Sequence, residues 1–371
     1  MKKKVVVGLS GGVDSAVACI NLLEQGYEVI GVFMRNWDSS LNNDVLGNPH
    51  LFDDVCPQEK DYLDALNVAN KLGIPFLRID FVQEYWDEVF QYFLNEYRLN
   101  RTPNPDILCN KEIKFKAFLN KAMELGADYI AMGHYARTVF EPNVKLLRGI
   151  DQGKDQSYFL CQLTKTQLAK TLFPIGHMYK KDVREIAKKH HLEVASKKDS
   201  TGVCFIGERN FREFLKNYLP SQPGNMETLS GEMVGVHEGI MYYTIGQRKG
   251  LKIGGAGEPW FVLGKDVKRN VLLVGRGDNQ TLLYSNKAIV EQVNWLLDEK
   301  QNQACTAKFR YRGVDNQVFI TWLNETTLQV SYPNQAKAVT PGQAAVFYNG
   351  EELIGGGTIA SVYMDQELRP Y

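Results

Sequence analysis

No apolar run of the ~18 residues that a membrane-spanning helix needs occurs in this 371-residue chain, so no membrane association is expected. None of the six cysteines (Cys19, Cys56, Cys109, Cys161, Cys204, Cys305) stands in a C-x-x-C pair, which argues against a zinc knuckle and an iron–sulfur clasp. The six histidines are scattered, and the adjacent His190-His191 sits on a lysine-rich helical stretch, so no structural metal is expected. Net charge is missing too: 43 Lys and Arg balance 43 Asp and Glu, and bulk charge therefore points to no class of partner. Repeats and low-complexity tracts are absent. The start Met1-Lys2-Lys3-Lys4 is basic, but the apolar stretch behind it breaks at Gly8, so a signal peptide is not expected and the cytoplasm is the expected compartment.

What is present describes a globular protein. The chain is 44% hydrophobic and 23% charged, and its length fits about two or three domains. Val5 to Leu9 is a β-branched run that reads as a buried strand, and Ala16 to Leu23 is a helix-length apolar segment ended by Gly26. Between them lies Ser10-Gly11-Gly12-Val13-Asp14-Ser15. Adjacent glycines let backbone N–H groups turn toward a ligand, and the helix start adds a positive dipole end, so this turn reads as an anion cradle. It lacks the Gly-Lys-Ser/Thr ending of the Walker loop. Asp14 is a candidate ligand for a magnesium ion held against phosphate oxygens.

Strand and helix patterns alternate over the first ~135 residues: strands at Glu28–Met34, Pro75–Phe81 and Asp128–Gly133, helices at Gln58–Leu72, Val82–Leu99 and Lys111–Leu125. That alternation predicts an α/β, Rossmann-like parallel sheet with ligands beyond the carboxyl ends of its strands, where the loop after Leu9, Met34 and Gly133-His134 all fall. Asn36–Cys56 and Arg101–Asn110 read as irregular loops, the second because of its two prolines. Helical stretches follow at Gln156–Ala169 and Lys180–His191. Beyond a linker at Pro220–Asn225 the pattern turns to short strands, at Ala288–Trp295, Ala304–Arg310, Val318–Trp322, Thr327–Tyr332 and Ala344–Tyr348, as in a small β-barrel or sandwich.

Further candidates are weaker alone. Lys145–Lys216 carries 15 Lys/Arg against 8 Asp/Glu, and Ile245–Arg276 carries 7 against 2, as in a phosphate-backbone footprint or in ordinary solvated faces. Cys109 and Cys204 lie in polar loops, and Lys197-Lys198 upstream of Cys204 could lower a thiol pKa. The other four cysteines read as buried and inert. Asp155 is a plausible helix cap, and Arg310-Tyr311-Arg312 offers an aromatic between guanidiniums, as RNA stacking needs.

In order along the chain, Gly8–Ser15, Asn104–Cys109, Met132-Gly133-His134-Tyr135, Lys154-Asp155-Gln156, Asp199–Phe205 and Thr244–Gly250 resemble the bacterial tRNA-specific 2-thiouridylase family, within the pyrophosphate-loop ATPase superfamily. The resemblance implies a pyrophosphate-loop domain over 1–209, a small central domain over 210–283 and a tRNA-contacting C-terminal β-barrel over 284–371. It implies ATP with Mg²⁺ as cofactors, with ATP held by Gly8, Leu9, Ser10, Gly11, Gly12, Val13, Asp14, Ser15, Met34 and Gly133. Cys204 would carry a persulfide, Cys109 would be its partner thiol and nucleophile, in a disulfide with it during turnover, and Asp106 would act as acid/base. Asn104, Pro105, Asp106, His134, Lys154, Asp155, Gln156, Arg310, Tyr311 and Gln343 would touch tRNA. Implied partners are tRNAs with a wobble uridine (Glu, Gln and Lys acceptors) and a cysteine desulfurase or sulfur-relay protein. Two rival readings are a small-molecule ligase with the same loop and a noncatalytic nucleotide-sensing RNA binder. Neither needs two cysteines.

Overall fold

The computed structural model describes residues 2–51, 53, 55–199, 206, 209–277 and 280–371. They form two compact units: Met1–Phe90 with Pro105–Phe214 and Glu351–Leu353, and Gln91–Asn104 with Leu215–Gly350 and Ile354–Tyr371.

The first unit is built on strands β1 (Lys4–Gly8), β2 (Glu28–Arg35), β3 (Phe76–Asp80), β4 (Tyr129–Ala131), a hairpin of β5 (Ala136–Val139) and β6 (Lys145–Arg148), and β7 (Thr171–Leu172). Five of them make a parallel sheet in the order β3-β2-β1-β4-β7. The expected parallel sheet is therefore present. Its central strand β1 has Val5, Val6 and Val7 wholly buried, as a strand covered on both faces requires. Helix α1 (Val13–Glu24) buries Ala16 to Ile20, and α2 (Pro57–Leu72) buries Ala65, Val68 and Ala69 in the same core. Helix Lys180–Lys189 adds Val183 and Ala187.

Several local expectations change. Only Arg101–Asn104 is irregular in the predicted 101–110 loop, because Pro105 opens a helix, Pro105–Leu108, that runs on as wide π-type turns over Cys109–Ala117. Proline fits the first helical position, where its missing N–H has no partner to lose. The predicted helix Gln156–Ala169 is two short pieces, Ser157–Leu160 and Lys165–Leu168, because Thr164 and Gln167 form a capping box that starts a new turn. The β5–β6 hairpin and β7 carried too few residues to read in advance.

The loop 36–56 has no regular structure among its described residues, as expected, yet it is firmly held. Wholly buried Asp44 receives the Arg209 guanidinium at 2.8 Å (Nη2) and 3.0 Å (Nε), and the Trp37 indole N–H at 3.0 Å. Trp37 itself packs on Phe90 at 4.9 Å between ring centres.

The second unit holds a four-stranded sheet and a barrel. β8 (Gly224–Glu227), β9 (Met233–His237), β10 (Phe261–Asp266) and β11 (Val271–Gly275) lie in the order β10-β11-β8-β9. β12 (Tyr284–Trp295), β13 (Gln303–Lys308), β14 (Asn316–Asn324), β15 (Thr327–Lys337), β16 (Ala344–Asn349) and β17 (Glu352–Met364) follow in the order β12-β15-β14-β13-β16-β17. Pairing of β12 with β17 closes the ring, which makes it a barrel and not a sandwich. Leu328, Val330 and Tyr332 alternate inward with Thr327, Gln329 and Ser331 between them, the period of a strand with one buried face. β17 was missed because Gly355-Gly356-Gly357 depresses strand propensity. A side chain at Gly355 would collide with the Trp295 ring, so the glycines are there for packing.

Lys265 on β10 is 5% exposed, and its ammonium donates to the Asn100 carbonyl at 2.7 Å. Burial lowers its pKa to about 7. It therefore does not belong to any basic surface formed by 245–276. Between pH 7 and the ordinary lysine value the unfolded chain binds the extra proton, so stability should rise with pH across that window. Comparing wild type with Lys265→Met by denaturant titration, we expect the difference to move against the variant by about 2–4 kcal/mol from pH 6 to pH 10. A difference independent of pH would contradict the lowered pKa of the buried Lys265 amine. Removing one partner of the buried Asp44–Arg209 pair, as in Arg209→Met, should cost about 3–5 kcal/mol in the same assay, whereas a surface pair would cost under ~1 kcal/mol.

Candidate active site

The strand order reverses between β1 and β4: β2 and β3 lie to one side, β7 to the other. At such a switch point the loops after the two strands part and leave a crevice. The loop after β1 is Leu9–Gly12, and the residues after β4 are Met132, Gly133 and His134. A Cβ on Gly133 would lie 2.8 Å from the Ser15 nitrogen, so β4 ends directly against the first turn of α1. A Cβ on Gly8 would lie 2.6 Å from the Met132 sulfur and 3.1 Å from the Met34 methyl carbon. Gly8, Met34, Gly133 and Ser15 are thus gathered around one turn.

The turn is shaped from within. Ser15 Oγ accepts from the Ser10 N–H at 3.1 Å and donates to the Gly12 carbonyl at 3.1 Å. Gly11 has φ +74°, and a side chain there would strike the Asp61 carbonyl of α2. Gly12 occupies the N-cap of α1 without any side-chain capping bond. The first N–H groups of the helix, which have no intrahelical acceptor, are left for a ligand.

A chain of charges stands beside the turn. The Asp14 carboxylate receives Lys180 Nζ at 2.7 and 2.8 Å and the Tyr135 hydroxyl at 2.9 Å. Burial, then the Asp14 charge, pushes the Tyr135 phenol far up, so it stays a proton donor. Lys180 also reaches Asp199 at 2.9 Å, which further binds Lys154 at 2.6 Å and Arg184 at 3.0 Å. Burial opposes ionisation of Asp199, but the bonds from Lys154 and Lys180 outweigh it and hold its pKa at about 2. Lys197 spends its three N–H donors on Gly11 O at 2.9 Å, Asp61 at 2.7 Å and Asp64 at 2.5 Å. It serves the turn, and Cys204, the thiol it was expected to activate, lies outside the described residues. Tyr135, Lys180 and Asp199 had no assigned site role from sequence, and Lys197 had none at this turn. Lys180 opens a helix whose lysines read as solvated, and no local pattern ties it to Asp14.

The carboxylate of Asp14 and the hydroxyls of Ser10 and Ser15 are hard oxygen donors of the kind Mg²⁺ takes. Among the described residues no group of three His, Cys, Asp or Glu is set to hold a metal by itself.

Of the expected catalytic residues, Asp106 lies in helix Pro105–Leu108 and Cys109 follows it, wholly buried. Cys204 lies outside the described residues. No two of the five described cysteines are paired, and the expected disulfide has no support, its second member Cys204 being outside the described residues. Burial raises Cys19, Cys161 and Cys305 to about 12, as inert thiols should be. Cys56 is exposed, against the buried reading, because it sits outside the core at the N-cap of α2.

The residues expected to touch tRNA have varied settings. His134 is 9% exposed, its ring 5.8 Å from Phe115 and 6.1 Å from Phe173, and its buried Nδ1 has no hydrogen-bond partner. Burial, with Lys114 adding to it, drives its pKa well down, so the ring is neutral. Asp155 is buried and accepts from the Gly149 and Ser157 N–H groups, but the N-cap of the turn Ser157–Leu160 is Gln156, so the expected cap at Asp155 is one residue off. Gln156 is bonded to the Tyr135 backbone through both its side chain and its N–H. In the second unit Arg310 donates to Ile245 O at 2.9 Å and Ala338 O at 2.7 Å, and the Tyr311 ring has Arg312 at 5.9 Å. Gln343 donates to Thr102 O at 2.8 Å and Pro103 O at 3.2 Å, just before Asn104.

Family models match three stretches: one described as tRNA methyl transferase HUP domain at 3–208, one as tRNA methyl transferase PRC-barrel domain at 212–276, and one as aminomethyltransferase beta-barrel domain at 285–359. Among curated relatives, "tRNA-specific 2-thiouridylase MnmA 2" of Geobacillus kaustophilus (strain HTA426) is 57% identical over 98% of this chain and 96% of its own. "tRNA-specific 2-thiouridylase MnmA" of Geobacillus thermodenitrificans (strain NG80-2) is 56% identical over the same shares. The protein of that name from Bacillus cytotoxicus (strain DSM 22905 / CIP 110041 / 391-98 / NVH 391-98) is 54% identical over 99% of this chain and 97% of its own. Identity at this level along nearly the whole of each chain means that this chain belongs to the tRNA-specific 2-thiouridylase family.

Proposed function

We propose that this enzyme replaces the C2 oxygen of the wobble uridine of tRNA with sulfur, using ATP. The observation that carries the reading is the open, uncapped turn Gly11-Gly12 at the switch point of the sheet, in a chain 57% identical to a named 2-thiouridylase. The family descriptions speak of methyl transfer. The relatives' names, at 54–57% identity, favour sulfur.

The chemistry follows from the weakness of the substrate. An amide-like C2=O is a poor electrophile, and oxide cannot leave. Attack of the C2 oxygen on the α-phosphorus of ATP releases pyrophosphate and leaves AMP joined to that oxygen. Gly8 to Ser15, Met34 and Gly133 bind the nucleotide in this reading, with backbone N–H groups on the phosphates. Mg²⁺, bound through Asp14 and the loop hydroxyls together with phosphate oxygens, would neutralise the leaving pyrophosphate. The outer sulfur of a persulfide on Cys204 then attacks C2, and AMP departs with the original oxygen. Cys109 closes a disulfide with Cys204 as the sulfur is given up, and a cellular thiol reductant restores both. Asp106 acts as acid/base beside the base, which must leave the anticodon stack to be reached.

Asn104, Pro105, His134, Lys154, Asp155, Gln156, Arg310, Tyr311 and Gln343 complete the tRNA surface in this reading. RNA is bound largely through backbone, shape and splayed bases. The working division is 1–209 for adenylation and thiolation, 210–283 as central domain and 284–371 for tRNA contact. The sulfur comes from a cysteine desulfurase or relay protein in the cytoplasm, and wobble-uridine tRNAs of the Glu, Gln and Lys acceptors are the substrates. Among the described residues no helix is long and apolar enough to cross a membrane.

The test is incubation with unmodified tRNA, ATP, Mg²⁺ and a desulfurase–cysteine source, followed by nucleoside mass analysis. We expect 2-thiouridine from wild type and none from Cys204→Ser, which should still bind tRNA. Thiolation by Cys204→Ser would remove the persulfide step. The nucleotide products should be AMP and pyrophosphate, and ADP with phosphate would remove the adenylation step.

A further inference from the structure

We propose that Lys197 is a positioning residue for the nucleotide turn: its bond to the Gly11 carbonyl sets the direction in which the Gly12 N–H faces. The inference rests on the reading of Gly8–Ser15 as the phosphate cradle. In a trans peptide the C=O and the following N–H point to opposite sides. Lys197 Nζ holds Gly11 O at 2.9 Å, so the Gly12 N–H is turned away from Lys197. A Gly-Gly link would otherwise rotate with little steric cost, because glycine populates both signs of φ.

The clamp is built on α2. Asp61 and Asp64 are three apart on that helix, hence on one face. They bind the same ammonium at 2.7 and 2.5 Å. Burial works against the charge on Lys197, and the bonds to Asp61 and Asp64 more than restore it. The backbone of Asp61 also blocks any side chain at Gly11. One turn of α2 thus fixes both residue 11 and the cation that orients its carbonyl. With two carboxylates on it, the ammonium offers a distant phosphate little net charge. Its effect is through geometry.

The experiment is calorimetric titration of the full chain with MgATP and, separately, with adenosine. Lys197→Met should raise the Kd for MgATP about tenfold, the order expected for one misdirected hydrogen bond to a charged group. Adenosine affinity should stay unchanged, and Lys197→Arg should recover most of the loss. Asp64→Asn should give a smaller loss of the same kind, and it decides the matter if Lys197→Met does not fold. Unchanged MgATP affinity, or an equal fall for adenosine, would overturn the role of Lys197. Ser10→Ala tests the cradle separately: if that variant binds MgATP as tightly as wild type, the reading of Gly8–Ser15 fails whatever Lys197 does.

Discussion

The first unit is organised around a short piece of backbone, the turn Leu9–Gly12, whose helix start has no side-chain cap among the described residues. A helix starting after a strand normally has a Ser, Thr, Asp or Asn at its N-cap, which accepts one of the orphan N–H groups and adds about 1 kcal/mol. Here Gly12 stands at the cap, and no side chain takes that bond. The hydroxyl of Ser15 turns back to Ser10 N and Gly12 O, bracing the turn from below. The turn forgoes a side-chain cap, and the neighbouring elements supply the rigidity. β4 ends against Ser15 at Gly133, and α2 backs Gly11.

The same economy governs charge. The chain is neutral overall, and the cations of the first unit that stand near the turn are each held by carboxylates. Lys180 is shared by Asp14 and Asp199, Lys197 by Asp61 and Asp64. Paired in this way, the cations leave little uncompensated charge beside the turn. They also explain why counting residues over 145–216 gave a poor picture of any surface. Part of that positive excess is directed inward, as with Arg209 on buried Asp44.

What could be read in advance follows a clear physical division. The parallel sheet, the turn after β1, the delivery of Gly133 and the five barrel strands from 288 to 348 all rest on local patterns: β-branched runs, period-two alternation and glycine pairs. Features set by distant partners stayed hidden. Gly355 and Gly356 lie in a strand because they pair with Trp295 and Asn294 of β12. Lys265 looked like a surface cation because nothing nearby in sequence announces the Asn100 carbonyl, 165 positions away. Pro105 was read as a breaker, although at the first position of a helix it is a starter. At the candidate site the turn itself, Gly8 to Ser15, was legible through its motif. The residues that orient it, Lys180, Lys197 and Tyr135, were not, since each acts on a loop more than a hundred positions away.

That distinction between a motif and what orients it also bears on the residues before Cys109. Gln343 grips the carbonyls of Thr102 and Pro103, and the Thr102 N–H donates to Pro341 O at 3.1 Å. Pro105 then begins a helix that continues without a break through Asp106 to buried Cys109. Asn104 is the single residue left between a clamped stretch and a helix. Proline fixes its own φ and restricts the residue before it, so even Asn104 has little freedom. Gln343 thus contributes through the backbone it holds, whether or not its amide also reaches RNA.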